Sequence, residues 1–223
     1  MSYPAFLKGK SIDYMIDNIL FSLKKEKKNV VLLLKLATLY SVKNLHNDAK
    51  KTFSKAIEIN DEHVKKLAPK ILGKVNSAWR NLGIAYLEKS KFEDANACFE
   101  TSLIINPDSV DDWYFYAKSY ENLKKFNKAV KAYEKAIRRG GDLLTAMLKM
   151  AKIYEERENY ELSQKMYNDS LEILNIMANS WDSLRKIYGE LGLEKQESIA
   201  KLKRLETIKT KEKISTKLQI SKQ

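Results

Sequence analysis

Lys118, Lys152 and Lys186 recur at intervals of 34 residues, and Lys149 stands three residues before the second of them. A row of ammonium groups on a rigid support attracts an acidic segment or a C-terminal carboxylate through steering and charge-assisted hydrogen bonds. The competing reading is neutralisation. Glu121, Glu155, Glu156 and Glu190 follow those lysines by three or four residues, a spacing at which helical side chains pair. A second basic group ends the chain, where Lys201, Lys203, Arg204, Lys209, Lys211 and Lys213 belong to a segment, 201–223, of net charge +6. Such a tail binds polyanions in a salt-dependent way, which makes nucleic acid or a ribosome the alternative partner and simple solubilisation the plainer role. The segment is lysine-rich and has no aromatic residue, so specific reading of RNA is not indicated.

Groups for catalysis are sparse. Cys98 adjoins Phe99 with no histidine in its pattern, which suits a packed structural thiol. His46 takes the place that Phe92, Phe126 and Tyr160 hold in later units and reads as a packing ring, while His63 has no partner pattern. Gly140-Gly141 sits where a turn is needed and makes no phosphate loop. No enzyme, cofactor or metal centre is expected. A single cysteine excludes an internal disulfide framework and points to a reducing, cytoplasmic setting. Met1 to Lys10 holds Pro4 and polar residues where a secretory signal would be apolar. The longest apolar run, Val30–Val42, is 13 residues interrupted by Lys35. A membrane span needs about 20 such residues, so no membrane contact is expected.

The elements that must carry these residues follow from a repeat. With only 7 Gly and 3 Pro in 223 residues, helix is favoured over hairpins of strands. Trp79, Trp113, Met147 and Trp181 mark a 34-residue frame, and Tyr86, Tyr120, Tyr154 and Tyr188 keep it without exception. Small residues recur at Gly83, Ala117 and Ala151, and again at Ala95, Ala129 and Ser163. Phe99, Tyr133 and Tyr167 supply the aromatic of the second half-unit. Spacings of three, four and seven place each set on one helical face, so each unit is a helical hairpin that buries its face only by stacking. Units run 76–109, 110–143 and 144–177; an earlier one, 30–63, matches through Leu33, Leu36, Ala37, Tyr40, Ala49, Phe53 and Ala56, set off by a basic insertion, 64–75.

This pattern resembles the tetratricopeptide repeat, which unit 76–109 reproduces as Trp79, Leu82, Gly83, Tyr86, Ala95, Phe99 and Pro107. The resemblance implies an all-α fold: an α-solenoid of stacked antiparallel helix pairs in a right-handed superhelix, with N- and C-terminal capping helices. It also implies a non-catalytic scaffold or adaptor whose first helices line a concave groove for a partner peptide or helix. Carried onto this chain, that groove takes the lysine row, with Arg80 and Asn81 on the same side in the preceding unit and Tyr114 as an aromatic platform. The carboxylate clamp for chaperone tails is not supported. Started at 30–63, its five positions hold Leu34, Thr38, Asn81, Asp111 and Phe115, and only Asn81 fits.

The remaining pieces are ends and attachments. In 1–29, a helix opened by Ser11 presents Ile12, Met15, Ile16, Ile19, Leu20 and Leu23 as a cap for the first repeat. Insertion 64–75 reads as a helical extension with a break or kink near Pro69. Segment 178–209 keeps Trp181, Leu184 and Tyr188, ends a helix at Gly189 and Gly192, and starts a last one near Glu194 with a thin stripe of Ile199, Leu202, Leu205 and Ile208. Residues 210–223 read as a disordered basic tail. That thin stripe makes self-association a further option. Of the net charge of +12, segment 1–29 supplies +3, the insertion +4 and residues 200–223 supply +6, so the repeats themselves are nearly neutral.

Overall fold

The computed structural model describes residues 11–220. The N-terminal expectation on Met1 to Lys10 and the last three residues of the tail lie outside that range. The described residues form ten helices and no strand: α1 Ile12–Lys25, α2 Val30–Val42, α3 His46–Leu72, α4 Asn76–Glu88, α5 Phe92–Ile105, α6 Val110–Asn122, α7 Phe126–Arg138, α8 Leu143–Glu156, α9 Tyr160–Glu190 and α10 Glu194–Ile220. They divide into two compact units, the first ending at Gly141 and the second beginning at Asp142.

One turn geometry recurs through the chain. Asn44, Ser90, Lys124, Glu158 and Gly192 all adopt positive φ, at 59°, 56°, 57°, 57° and 68°. In each case the next residue donates its N–H to a tyrosine carbonyl five residues back: Leu45 to Tyr40, Lys91 to Tyr86, Lys125 to Tyr120, Asn159 to Tyr154 and Leu193 to Tyr188, at 2.9–3.0 Å. This is the left-handed helix stop, in which an otherwise orphaned carbonyl is satisfied and the chain reverses. The repeating tyrosine thus marks each hairpin turn with its backbone as well as its ring. Starts are capped by short polar side chains: Asn29 accepts from Leu32 N–H, Ser109 from Asp112 N–H and Asp142 from Thr145 N–H. Ser11 precedes α1 but makes no side-chain cap.

In the first unit the pairs α2/α3, α4/α5 and α6/α7 stack as an α-solenoid. Each later first helix packs on both helices of the pair before it, α4 on α2 and α3, α6 on α4 and α5. The aromatic of the second helix fills the interior, so Phe53, Phe99 and Tyr133 are fully buried. Each such ring contributes about 2–3 kcal/mol by leaving water. Trp79 and Trp113 close the chain entering their helices, their indole N–H donating to the carbonyls of Gly73 at 2.9 Å and Pro107 at 2.7 Å.

The insertion is helical. Its break falls at Asn60 (φ −164°, ψ 95°), not beside Pro69. Asn60 occupies the repeat position of Asn106, which is also extended, so the second helix of the unit ends where its repeat requires. The Asn60 side chain then caps a further helical segment by accepting from His63 N–H at 2.9 Å. Val64, Ala68, Ile71 and Leu72 bury that segment against the core, while Pro69 lies on its exposed side, where a carbonyl left without an N–H costs least.

The second unit departs from the expected plan. No turn separates residues 177 and 178, and α9 runs unbroken for 31 residues. Residues 210–220 are helix, not a disordered tail. The helix α10 runs back along α9, bringing Ile214 and Leu218 into one buried cluster with Ala151, Tyr167 and Leu174. Lys217 secures that end, donating to Glu155 at 2.7 Å and to the Tyr167 hydroxyl. The expected stripe faces the wrong way: Ile199 is 48%, Leu202 61% and Leu205 44% exposed. The buried face is instead Ala200, Thr207, Ile214 and Leu218, a near-heptad series whose small members let α10 lie close on α9.

Candidate partner-binding face

Arg80 and Asn81, expected on the groove side, are built into the first unit. Asn81 is buried and donates its amide to the Ser41 hydroxyl at 2.9 Å, with the His46 ring nitrogen 3.3 Å away. His46 itself is exposed, not a packed ring. Arg80 belongs to a polar knot between consecutive pairs. Its guanidinium donates to Asp112, to the Ser109 hydroxyl at 2.8 Å and to Asp111 at 3.3 Å. Asp112 is fully buried and also accepts from Asn76 at 2.7 Å and Ser102 at 2.9 Å. A buried carboxylate survives only when its oxygens are satisfied in this way, so Arg80 is committed to holding the stack. The signal was present in the sequence as Asp112, an acid on the inner face of a helix whose counterparts, Ala78 and Ala146, are buried alanines.

Tyr114 is half-buried and meets Tyr133 edge-on at 5.6 Å. Lys118 stands exposed on α6. In the second unit the lysines do not line up. Lys152 lies near the α8–α9 turn and Lys186 far along the uninterrupted α9, roughly 30 Å further by helical rise. Lys152 pairs with Glu156 at 3.9 Å, Lys186 with Asp182 at 3.6 Å, and Glu155 is taken by Lys217. Lys149 is half-buried on α8. In α10, Lys203 pairs with Glu206 and Arg204 with Asp182, while Lys201, Lys209 and Lys213 are exposed and Lys211 half-buried.

A recess lies among the end of α2, the start of α4 and the end of α5. It has a volume of about 820 Å³ and is lined by Ser41, Val42, Val75, Ser77, Ile104 and Ile105, among others. Ile104 is 77% exposed at its mouth. This site escaped the sequence reading because the insertion, not the repeat, sets the spacing of α2 and α4. Cys98 is buried, and burial, with Asp94 adding to it, pushes its thiol well above the ordinary range, which disfavours the nucleophilic thiolate. Among the described residues no cluster of His, Cys, Asp or Glu could hold a metal, and no helix is long and apolar enough to cross a membrane.

Stacked helical hairpins with a recurring small–aromatic code place the chain among the helical-repeat scaffolds. Two family models described as tetratricopeptide repeat match it, one at residues 77–109 and the other at 31–63 and 113–139. Residues 31–63, 77–109 and 113–139 of the chain are tetratricopeptide repeats. No curated protein matches it. Among solved structures, the crystal structure of MamA protein aligns with a TM-score of 0.50 at 24% identity, over 72% of this chain and 81% of that one, a likeness of fold. MamA 41-end from Desulfovibrio magneticus RS-1 aligns with a TM-score of 0.46 at 13% identity, over 73% and 85%. YrrB, described as a TPR protein with an unusual peptide-binding site, aligns with a TM-score of 0.45 at 14% identity, over 85% and 91%.

Proposed function

We propose that the protein is a non-catalytic interaction scaffold that holds a segment of a partner protein against the first helices of its first unit. The recess between α2 and α4 carries this reading. Its walls join the apolar Val42, Val75, Ile104 and Ile105 to the amides of Asn44 and Asn106, which fix a bound backbone, and its volume of about 820 Å³ suits a few side chains. Tyr114 and Lys118 extend the same kind of surface onto α6, where Lys118 attracts an acidic residue of the bound segment. Arg80 and Asn81 act behind that surface by fixing the helices. Lys149, Lys152 and Lys186 are outside the proposed contact. A polyanion role for the tail is the weaker alternative, since Lys203, Arg204 and Lys217 are already paired.

Affinity purification of the full chain from its native cell, followed by binding measurements with the co-purifying protein, tests the site. Ile104→Glu with Val42→Glu should abolish capture, and Lys118→Glu should weaken it severalfold. Unchanged capture by the double variant rules out this recess.

A further inference from the structure

The N-terminal end of the solenoid breaks the packing rule of its interior. Leu33, Leu36 and Tyr40 hold the repeat positions of Trp79, Leu82 and Tyr86. The later set is covered from both helices of the preceding pair, because α4 packs on α2 and α3. Among the described helices, α2 has α1 alone on that side. At the first two positions burial is alike, Leu33 2% exposed against Trp79 7% and Leu36 4% against Leu82 1%. The difference shows at the third, where Tyr86 is 1% exposed and Tyr40 half-buried, and on α1 itself, where Leu20 is 40% exposed. Beside α1 runs a cleft of about 640 Å³ with Leu20, Leu23, Leu33 and Leu36 among its apolar walls.

Its rim is predominantly basic. Lys24 and Lys27 stand at the α1 side, Lys51 and Lys55, one helical turn apart, on α3, and Asp48 is the one acidic residue lining it. Lys51 and Lys55 lie beside Lys50, which pairs with Glu88 at 2.8 Å. Among the described residues none of the four rim lysines pairs with a carboxylate. They are therefore available to an incoming anion in a way that Lys152 and Lys186 are not.

We infer that this cleft is a second binding site, one that receives an acidic amphipathic helix of a partner protein in the place where the stack would otherwise put a second helix. The apolar stripe of that helix covers Leu20, Leu23 and Tyr40, and its flanking carboxylates meet the four lysines. Charge argues against other occupants. The first ten residues of this chain contain Lys8 and Lys10 and no acid. The outward apolar stripe of α10 in a second copy is flanked by Lys195, Lys201 and Lys209, and its one adjoining acid, Glu206, is paired with Lys203. A flat anionic bilayer meets the rim lysines and Leu20 but not Leu33 and Leu36, which are buried at the floor of the cleft.

The test uses the full chain and a fluorescent synthetic helix with leucines at three- and four-residue spacing flanked by glutamates, read by anisotropy. Its counterpart with lysine for every glutamate and vesicles containing phosphatidylserine are the comparison probes. The acidic helix should bind at least about tenfold tighter than the basic one and weaken severalfold as salt rises. Joint Lys24→Glu, Lys27→Glu, Lys51→Glu and Lys55→Glu replacement should weaken it about tenfold, the sum of four modest rim pairs. Leu20→Gln, which leaves the charge alone, should also weaken it. Reversal of Lys201, Lys209 and Lys213, and the Ile104→Glu/Val42→Glu pair, should leave it unchanged, which separates this site from the recess between α2 and α4. Equal binding of acidic and basic helices, or indifference to the fourfold reversal, overturns the inference. So does lysine-dependent binding of vesicles in place of the peptide, or a doubled mass in light scattering that the fourfold reversal abolishes.

Discussion

Residues 105–109 and 173–177 occupy the same place in the repeat and end their helices differently. The first reads Ile105-Asn106-Pro107-Asp108-Ser109, and α5 stops at Ile105 before Ser109 caps α6. Between them, residues 139–142 stop α7 with Gly140 at φ +84° and Gly141, whose Cβ would stand 2.8 Å from the Ala136 carbonyl oxygen. The later segment, Ile173-Leu174-Asn175-Ile176-Met177, has no proline or glycine and puts Met177 where Ser109 caps α6, and α9 runs through it. Leu174, at the position of Asn106 and Gly140, is buried with Tyr167 and Leu218. A repeated apolar code positions helices for stacking, but a hairpin also needs a residue that stops the helix.

That contrast can be attacked at four strengths. The cut junction is bound by the Asp112 knot, so Asp112→Ala, which strands Arg80, should cost about 3–5 kcal/mol in urea denaturation. A loss below about 1 kcal/mol would show that the knot adds little beyond packing. Asn175→Pro restores the stop that α9 lacks at the wrong moment in its packing and should cost about 3 kcal/mol, with lost helicity by far-UV circular dichroism. Ile214→Ala and Leu218→Ala should each cost about 2 kcal/mol, whereas Leu202→Ala, on the outward face of α10, should stay within about 0.5 kcal/mol. A reversed order in thermal unfolding would return the packed face to Ile199, Leu202 and Leu205. Smallest is the turn itself. Lys124→Gly and Glu158→Gly should each stabilise by about 0.5–1 kcal/mol, and Gly192→Ala should destabilise by a similar amount, because only glycine adopts positive φ without steric cost.

The hairpins were legible in the sequence because Trp79, Tyr86, Ala95 and Phe99 recur in kind at fixed spacing. The turns were less so. Asn44, Ser90, Lys124 and Glu158 share a backbone conformation without sharing a side-chain type, since the hydrogen bond to the tyrosine carbonyl imposes it. Lys152 and Lys186 fall out of line for a geometric reason, because constant spacing becomes constant height only if the chain between them folds back on itself, and α9 does not. The face of α10 misled because Ile199, Leu202 and Leu205 look like a core, while Ala200 and Thr207 pack better against a neighbouring helix. The two recesses are products of departures from the repeat, one of the insertion and one of the half-covered end, and periodicity is silent about both.

The length of α9 also bears on how the protein comes apart. In a regular repeat array each hairpin meets its neighbour through an interface, so terminal units can fray singly while the rest stays folded. Here one 31-residue helix is a member of the hairpin with α8 and of the hairpin with α10. Releasing the last hairpin requires melting half of a helix that the previous one still holds, and α10 is pinned at its far end by Lys217. The second unit therefore opens as a single cooperative block, and its amide protons from α8 to α10 should exchange with solvent at one common rate.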